Sequence, residues 1–82
     1  MCVICGNNAT ERHHVFGGAN RKLSEQYDLV IWVCAECHRG THGIHGKYGK
    51  ARAERVKRWG QEKFEIENPG ESFLKIFGRK YL

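Results

Sequence analysis

Four cysteines stand at positions 2, 5, 34 and 37, as two Cys-x-x-Cys pairs with 28 residues between them. That spacing belongs to a tetrahedral metal site rather than to a disulfide ladder. Two such turns brought together offer four soft thiolates and leave no coordination position open, so the ion they select is a structural zinc, with iron as the alternative in the same cage. A redox Cys-x-x-Cys would need a strand and a helix around one pair and would leave the other pair unexplained. The staple matters because the chain has only 82 residues. A chain of this length buries roughly 60% of the surface it exposes when unfolded, so an apolar core by itself gives marginal stability.

The longest purely apolar run is residues 29–33, Leu-Val-Ile-Trp-Val, far short of the ~20 residues needed to cross a bilayer. The first residues carry no basic segment followed by an apolar stretch, so the expected home is the reducing cytoplasm, where cysteines hold metal rather than disulfides. Fourteen Lys and Arg against nine Asp and Glu give a formal charge of +5. Four thiolates on one zinc ion lower that to +3, and a second divalent ion held by neutral histidines would restore +5. Either balance favours a polyanionic partner, most simply nucleic acid.

Along the chain, residues 1–12 read as a metal knuckle in which Gly6, Asn7 and Asn8 tolerate positive φ. Residues 13–16 suit a short strand, closed by the glycine-containing loop 17–20, while 24–27 is ambiguous. The β-branched and aromatic run 29–33 predicts a buried strand with Trp32 in the core. After Cys37, a weak helix would put His38 and His42 one turn apart on one face. Gly40, Gly43, Gly46 and Gly49 oppose that helix, each at about 1 kcal/mol relative to Ala, and a break is expected near 43–46. From 47 to about 68 the spacing is helical again, with Ala53, Val56, Trp59, Gly60 and Phe64 as one stripe. Asn68-Pro69-Gly70 stops it, and a short helix over 71–77 sets Phe73, Leu74 and Phe77 on one side before Gly78. The aromatic residues of both helices read as core rather than base-stacking platforms.

All five histidines lie between positions 13 and 45. A knuckle joining the two cysteine pairs draws His13 towards His38 and His42, and three imidazoles with open positions beside them are what a catalytic metal centre requires. His14 falls on the other side of its strand and is left free to act as a base. His45, three residues past His42, reads as a solvent-facing or DNA-facing residue.

The run RHHVFGGANRKLSEQYDLVIWVCAECHRGTHG, with its paired Cys-x-x-Cys, His-His and His-x-x-x-His, resembles the HNH endonucleases of the ββα-metal superfamily, and more closely their small phage and prophage members. The likeness covers roughly residues 2–46. It implies a small zinc-stapled α+β domain with a treble-clef-like ββα-metal core over 1–46, to which the helical spacing read above adds a basic helical extension over 47–82, one domain overall. It further implies a metal-dependent DNA endonuclease or nickase that leaves 5′-phosphate and 3′-hydroxyl ends. His14 would be the general base, and His13, His38 and His42 would hold Mg²⁺ or another divalent ion such as Mn²⁺, Ni²⁺ or Zn²⁺. The asparagine that orients the family's base has no clean match; Asp28 stands nearest its place, with Asn20 as the alternative. Arg39 or Arg12 would add charge to the transition state.

Eight of the cationic residues fall between Arg39 and Lys63 against two acids, Glu54 and Glu62, too lopsided a balance for an ordinary solvated face. Arg39, Lys47, Lys50, Arg52, Arg55 and Arg58 are therefore candidate contacts to the DNA backbone, with little sequence preference. A non-catalytic zinc-finger DNA-binding module is the rival reading, and a nuclease subunit active only when docked on a phage or host protein is the third; one such site cuts one strand, so a duplex break would need a homodimer or two events.

Overall fold

The computed structural model describes residues 1–82. The cysteine knuckle leads into β1 (Glu11–His14), a 3-10 turn at Gly18–Asn20 and α1 (Arg21–Gln26); β2 (Val30–Val33) then enters α2 (Ala35–Arg39), and a glycine-rich coil precedes α3 (Lys50–Glu67) and α4 (Phe73–Phe77). This is a small α+β fold around a two-stranded sheet, and no helix is long and apolar enough to cross a membrane.

β1 and β2 run antiparallel, with Glu11 opposite Val33, Arg12 opposite Trp32, His13 opposite Ile31 and His14 opposite Val30. Directly opposed residues share a face, and successive residues alternate between faces. Ile31 and Val33 are therefore buried, while Trp32 turns to the other face with Arg12 and is 52% exposed. The expectation of a core Trp32 fails because the strand is half-buried rather than buried on both sides. The first strand begins two residues earlier than its apolar pair suggests; Val15 and Phe16 follow β1 and are buried, with the Val15 N–H on the Leu29 carbonyl. Buried Ser24 ties this segment to α1, accepting from the Phe16 N–H at 3.0 Å and donating to the Phe16 carbonyl at 2.7 Å.

The core joins these residues to Phe64, Phe73 and Phe77, with Phe73 and Phe77 stacked at 4.4 Å. Gly60 lets α3 approach closely: a Cβ there would lie 2.7 Å from Val15 Cγ1 and 3.0 Å from the Phe16 ring. Trp59 and Leu74, expected in the core, are 42% and 48% exposed, since α3 buries only the narrower stripe through Gly60, Gln61 and Phe64 and α4 buries only Phe73 and Phe77. Asn68 ends α3 by donating through both its backbone and side-chain nitrogens to the Phe64 carbonyl. Ser72 caps α4 by accepting from the Lys75 N–H, and Gly78 closes it at φ 80°, the left-handed conformation glycine adopts without strain.

Candidate active site

The knuckle and the start of α2 bring Cys2, Cys5, Cys34 and Cys37 together, their sulfurs all within 4.8 Å of one another. Cys5 Sγ and Cys34 Sγ are 3.6 Å apart, close to the edge of about 3.8 Å that a tetrahedron with ~2.3 Å Zn–S bonds would have. Burial resists ionisation of Cys2, but hydrogen bonds from the backbone at Cys5, Cys34 and Ile4 draw its pKa down to about 6. Cys37 is pushed up by burial and by the neighbouring thiols. Four thiolates cannot coexist in so small a space without a counter-charge, which is the condition a bound cation meets. The donor set and its spacing fit a metal such as zinc.

A second cluster lies directly beyond. His13, His38 and His45 place one ring nitrogen each within 4.8 Å of the others, and the three ring centroids are 5.0 to 5.1 Å apart. The third imidazole is thus His45, and His42 stands apart, exposed, with its ring 5.5 Å from that of Tyr48. The physical reason is the coil that replaces the expected helix. α2 ends at Arg39, and the chain then advances in three-residue steps, Gly43 N–H to Gly40 carbonyl, Gly46 to Gly43 and Gly49 to Gly46. The coil folds back on itself so that the His45 N–H reaches the His38 carbonyl at 2.8 Å. A Cβ at Gly43 would lie 2.6 Å from the Glu36 carbonyl oxygen, and one at Gly46 would collide with the carbonyls of Gly40 and Thr41. The glycine at every third position is the sequence signal that a helix could not have carried His42.

Strand alternation sorts the remaining groups. Glu11 and His13 share the face towards α2, where Glu11 Oε1 is 2.7 Å from His38 Nδ1 and the carboxylate also binds Arg39. Those two partners hold the Glu11 pKa at about 2, Arg39 contributing most. A charged carboxylate only accepts, so His38 Nδ1 carries the proton and Nε2 is left as the ligand atom. Burial holds His13 down to about 4, with repulsion from His38 and His45 adding to it, and His45 is lowered by desolvation first and then by repulsion from His38 and Lys57. Neutral imidazole is the ligand form.

Arg12 and His14 share the opposite face and meet Glu25 of α1. Arg12 forms a two-nitrogen ion pair with that carboxylate, and His14 Nε2 lies 2.7 Å from Oε1. Arg12 first and His14 second hold the Glu25 pKa at about 2. His14 therefore donates from Nε2, and Nδ1 carries its lone pair. Neither residue expected to orient His14 hydrogen-bonds to it: Asn20 Nδ2 donates to the Phe77 carbonyl at 3.0 Å, and the Asp28 side chain is 91% exposed beside Lys63. Glu25 and Glu11 have no counterpart in the sequence reading, because a carboxylate that meets its histidine across 11 or 27 residues leaves no local spacing signal.

His13, His38, His45 and His14 line one cleft of about 560 Å³ together with Arg12, Arg21 and Lys57. The expected backbone contacts distribute unevenly. Arg39 is paired with Glu11, Arg52 donates to the His42 carbonyl, and Lys47 lies over the Tyr48 ring. Arg52 and Arg55 border an apolar groove with Trp32 and Trp59, whereas Lys50 and Arg58 line a separate basic cleft. No family model matches the chain, and neither the curated proteins nor the solved structures contain a match to it.

Proposed function

We propose that this chain is a metal-dependent HNH-type endonuclease that hydrolyses phosphodiester bonds in DNA, with zinc on the four cysteines and a divalent ion on His13, His38 and His45. The observation that carries the reading is the shared cleft: three imidazoles and a fourth, carboxylate-held imidazole face one space rimmed by cations. A structural finger has no use for His14 or for that second cluster. The bound divalent ion would neutralise charge on the phosphate and on the departing oxygen.

The chain's own residues supply the rest. Glu25 fixes the His14 ring and keeps the proton on Nε2, so Nδ1 takes the proton of an attacking water. Glu11 fixes His38 in the tautomer that presents Nε2. Arg21 and Lys57 hold the scissile phosphate at the cleft mouth.

The test is nicking of supercoiled plasmid at low salt by wild type and His14→Ala with Mg²⁺, Mn²⁺, Ni²⁺ or EDTA, folding being checked by circular dichroism. Divalent-dependent nicking that falls by at least 10²-fold in the folded variant is expected, the lower range for a lost general base. If neither protein cuts with any metal and both retard DNA in a gel, the reading fails in favour of a binding module.

A further inference from the structure

The segment 79–82 follows the last helix and forms no regular element. In this fold it is pinned from inside. Gln61, 1% exposed within α3, accepts from the Tyr81 N–H at 2.7 Å and from the Leu82 N–H at 3.2 Å through the same Oε1. The Tyr81 ring packs against Phe16 and lies beneath two cations, Lys57 at 5.5 Å and Arg79 at 5.1 Å. A buried amide and an aromatic ring thus hold Arg79 and Lys80 against the basic side of α3.

The result is a cleft of about 480 Å³ in which Arg79 and Lys80 face Lys50, Lys57 and Arg58, with Glu54 as the one acid. None of these five cations is in an ion pair, although the chain pairs Arg12, Arg39 and Lys63 elsewhere. Five cations gathered around a single acidic side chain repel one another, a cost that an anionic ligand lowers. The cleft adjoins the imidazole cleft, with Ala53, Lys57 and Tyr81 lining both.

We propose that 79–82 and the Lys50, Lys57 and Arg58 side of α3 form a seat for consecutive phosphates of a nucleic-acid strand as it leaves the imidazole cleft. The proposal rests on the nuclease reading for the direction of the strand. Several cations lining one cleft suit a phosphodiester backbone, which carries one charge per nucleotide, and they carry no base readout. Arg52 and Arg55 lie off this path, on the apolar groove.

The experiment measures binding, not cleavage. A fluorescent 20-base-pair duplex is titrated by anisotropy from 50 to 200 mM salt, with zinc-loaded protein and no added divalent ion. Arg79→Ala/Lys80→Ala is compared with wild type and with Lys22→Ala/Lys75→Ala, which removes the same charge at exposed positions that line none of these clefts. Two lost phosphate contacts should lower the slope of log K against log salt by about 2 and weaken binding roughly tenfold to a hundredfold at 0.1 M salt. The Lys22→Ala/Lys75→Ala control should keep the wild-type slope. Equal slopes in all three proteins, an equal loss in the control, or no binding by wild type overturns the proposal. Poly-glutamate that binds wild type as tightly as DNA and with the same loss in Arg79→Ala/Lys80→Ala also overturns it, in favour of an acidic protein. A chain that shows the slope change and never nicks supports the seat and sinks the nuclease; one that nicks with an unchanged slope does the reverse.

Discussion

At the scale of single residues, the choice between His42 and His45 decides the chemistry of the cleft. Both follow a glycine-flanked stretch, and only the fold-back of the coil brings one of them to His13 and His38. Divalent-ion affinity of the zinc-loaded protein, measured by calorimetry with Mn²⁺ or Ni²⁺, should fall at least 10-fold to 100-fold in His45→Ala, the range seen when even an outer-shell partner of a metal is removed. His42→Ala should stay within about twofold of wild type, because its ring meets Tyr48 and not the cluster. The opposite ranking would return the ligand set to the helical spacing of His38 and His42. Much of the site's residue content was legible: two cysteine pairs at ligand spacing and adjacent histidines on a strand announce themselves in the chain. The orienting carboxylates were not, since Glu11 and Glu25 act across pairs that only the folded sheet and α1 bring together.

Secondary-structure elements divide along the same line. β2 and the two C-terminal helices follow from a β-branched run, a helical stripe and the Asn-Pro-Gly stop, all local signals. α1 left no such stripe, and α2 stops after Arg39 because glycine recurs every third residue, so those parts depend on backbone packing that composition only hints at. Packing of α3 onto the segment after β1 is tight enough to test. Ala at position 60 would gain about 1 kcal/mol of helix propensity over Gly. Its Cβ would also press on Val15 and Phe16, which are 1% and 2% exposed and packed in the core. Overpacking of this kind costs roughly 1–3 kcal/mol, so Gly60→Ala should be net destabilising by about 1 kcal/mol. In a domain of this size that lowers Tm by about 4–8 °C, as read by a thermal melt of the zinc-loaded protein. A melt at or above the wild-type temperature would mean that α3 can shift away from the sheet, and with it Lys57 from the cleft.

For the whole molecule the question is what makes so small a chain fold at all. Only 18 of its 82 residues are buried, and three of those, Cys2, Cys34 and Cys37, belong to the sulfur cluster rather than to a purely apolar core. A domain of this length has a net stability of about 4–12 kcal/mol at the usual 0.05–0.15 per residue. A structural zinc site contributes about 10–16 kcal/mol of binding free energy that becomes folding free energy. The second quantity matches or exceeds the first, so zinc is expected to be a condition of folding. The knuckle leads into β1 and the cysteines at α2 follow β2, and these two points lie at the same, Glu11–Val33 end of the sheet, so removing a bound ion would free both strands at that end of the sheet that carries His13 and His14. Chelation at neutral pH should therefore abolish the cooperative melt and the near-ultraviolet circular dichroism of Trp32 and Trp59 together. One equivalent of Zn²⁺ should restore both, whereas Mg²⁺ or Mn²⁺ should not, because a four-thiolate site selects a soft or borderline ion over hard ones. A chelated protein that still melts cooperatively would show that Phe16, Phe64, Phe73 and Phe77 suffice as a core, and that the cysteines do something other than hold the fold.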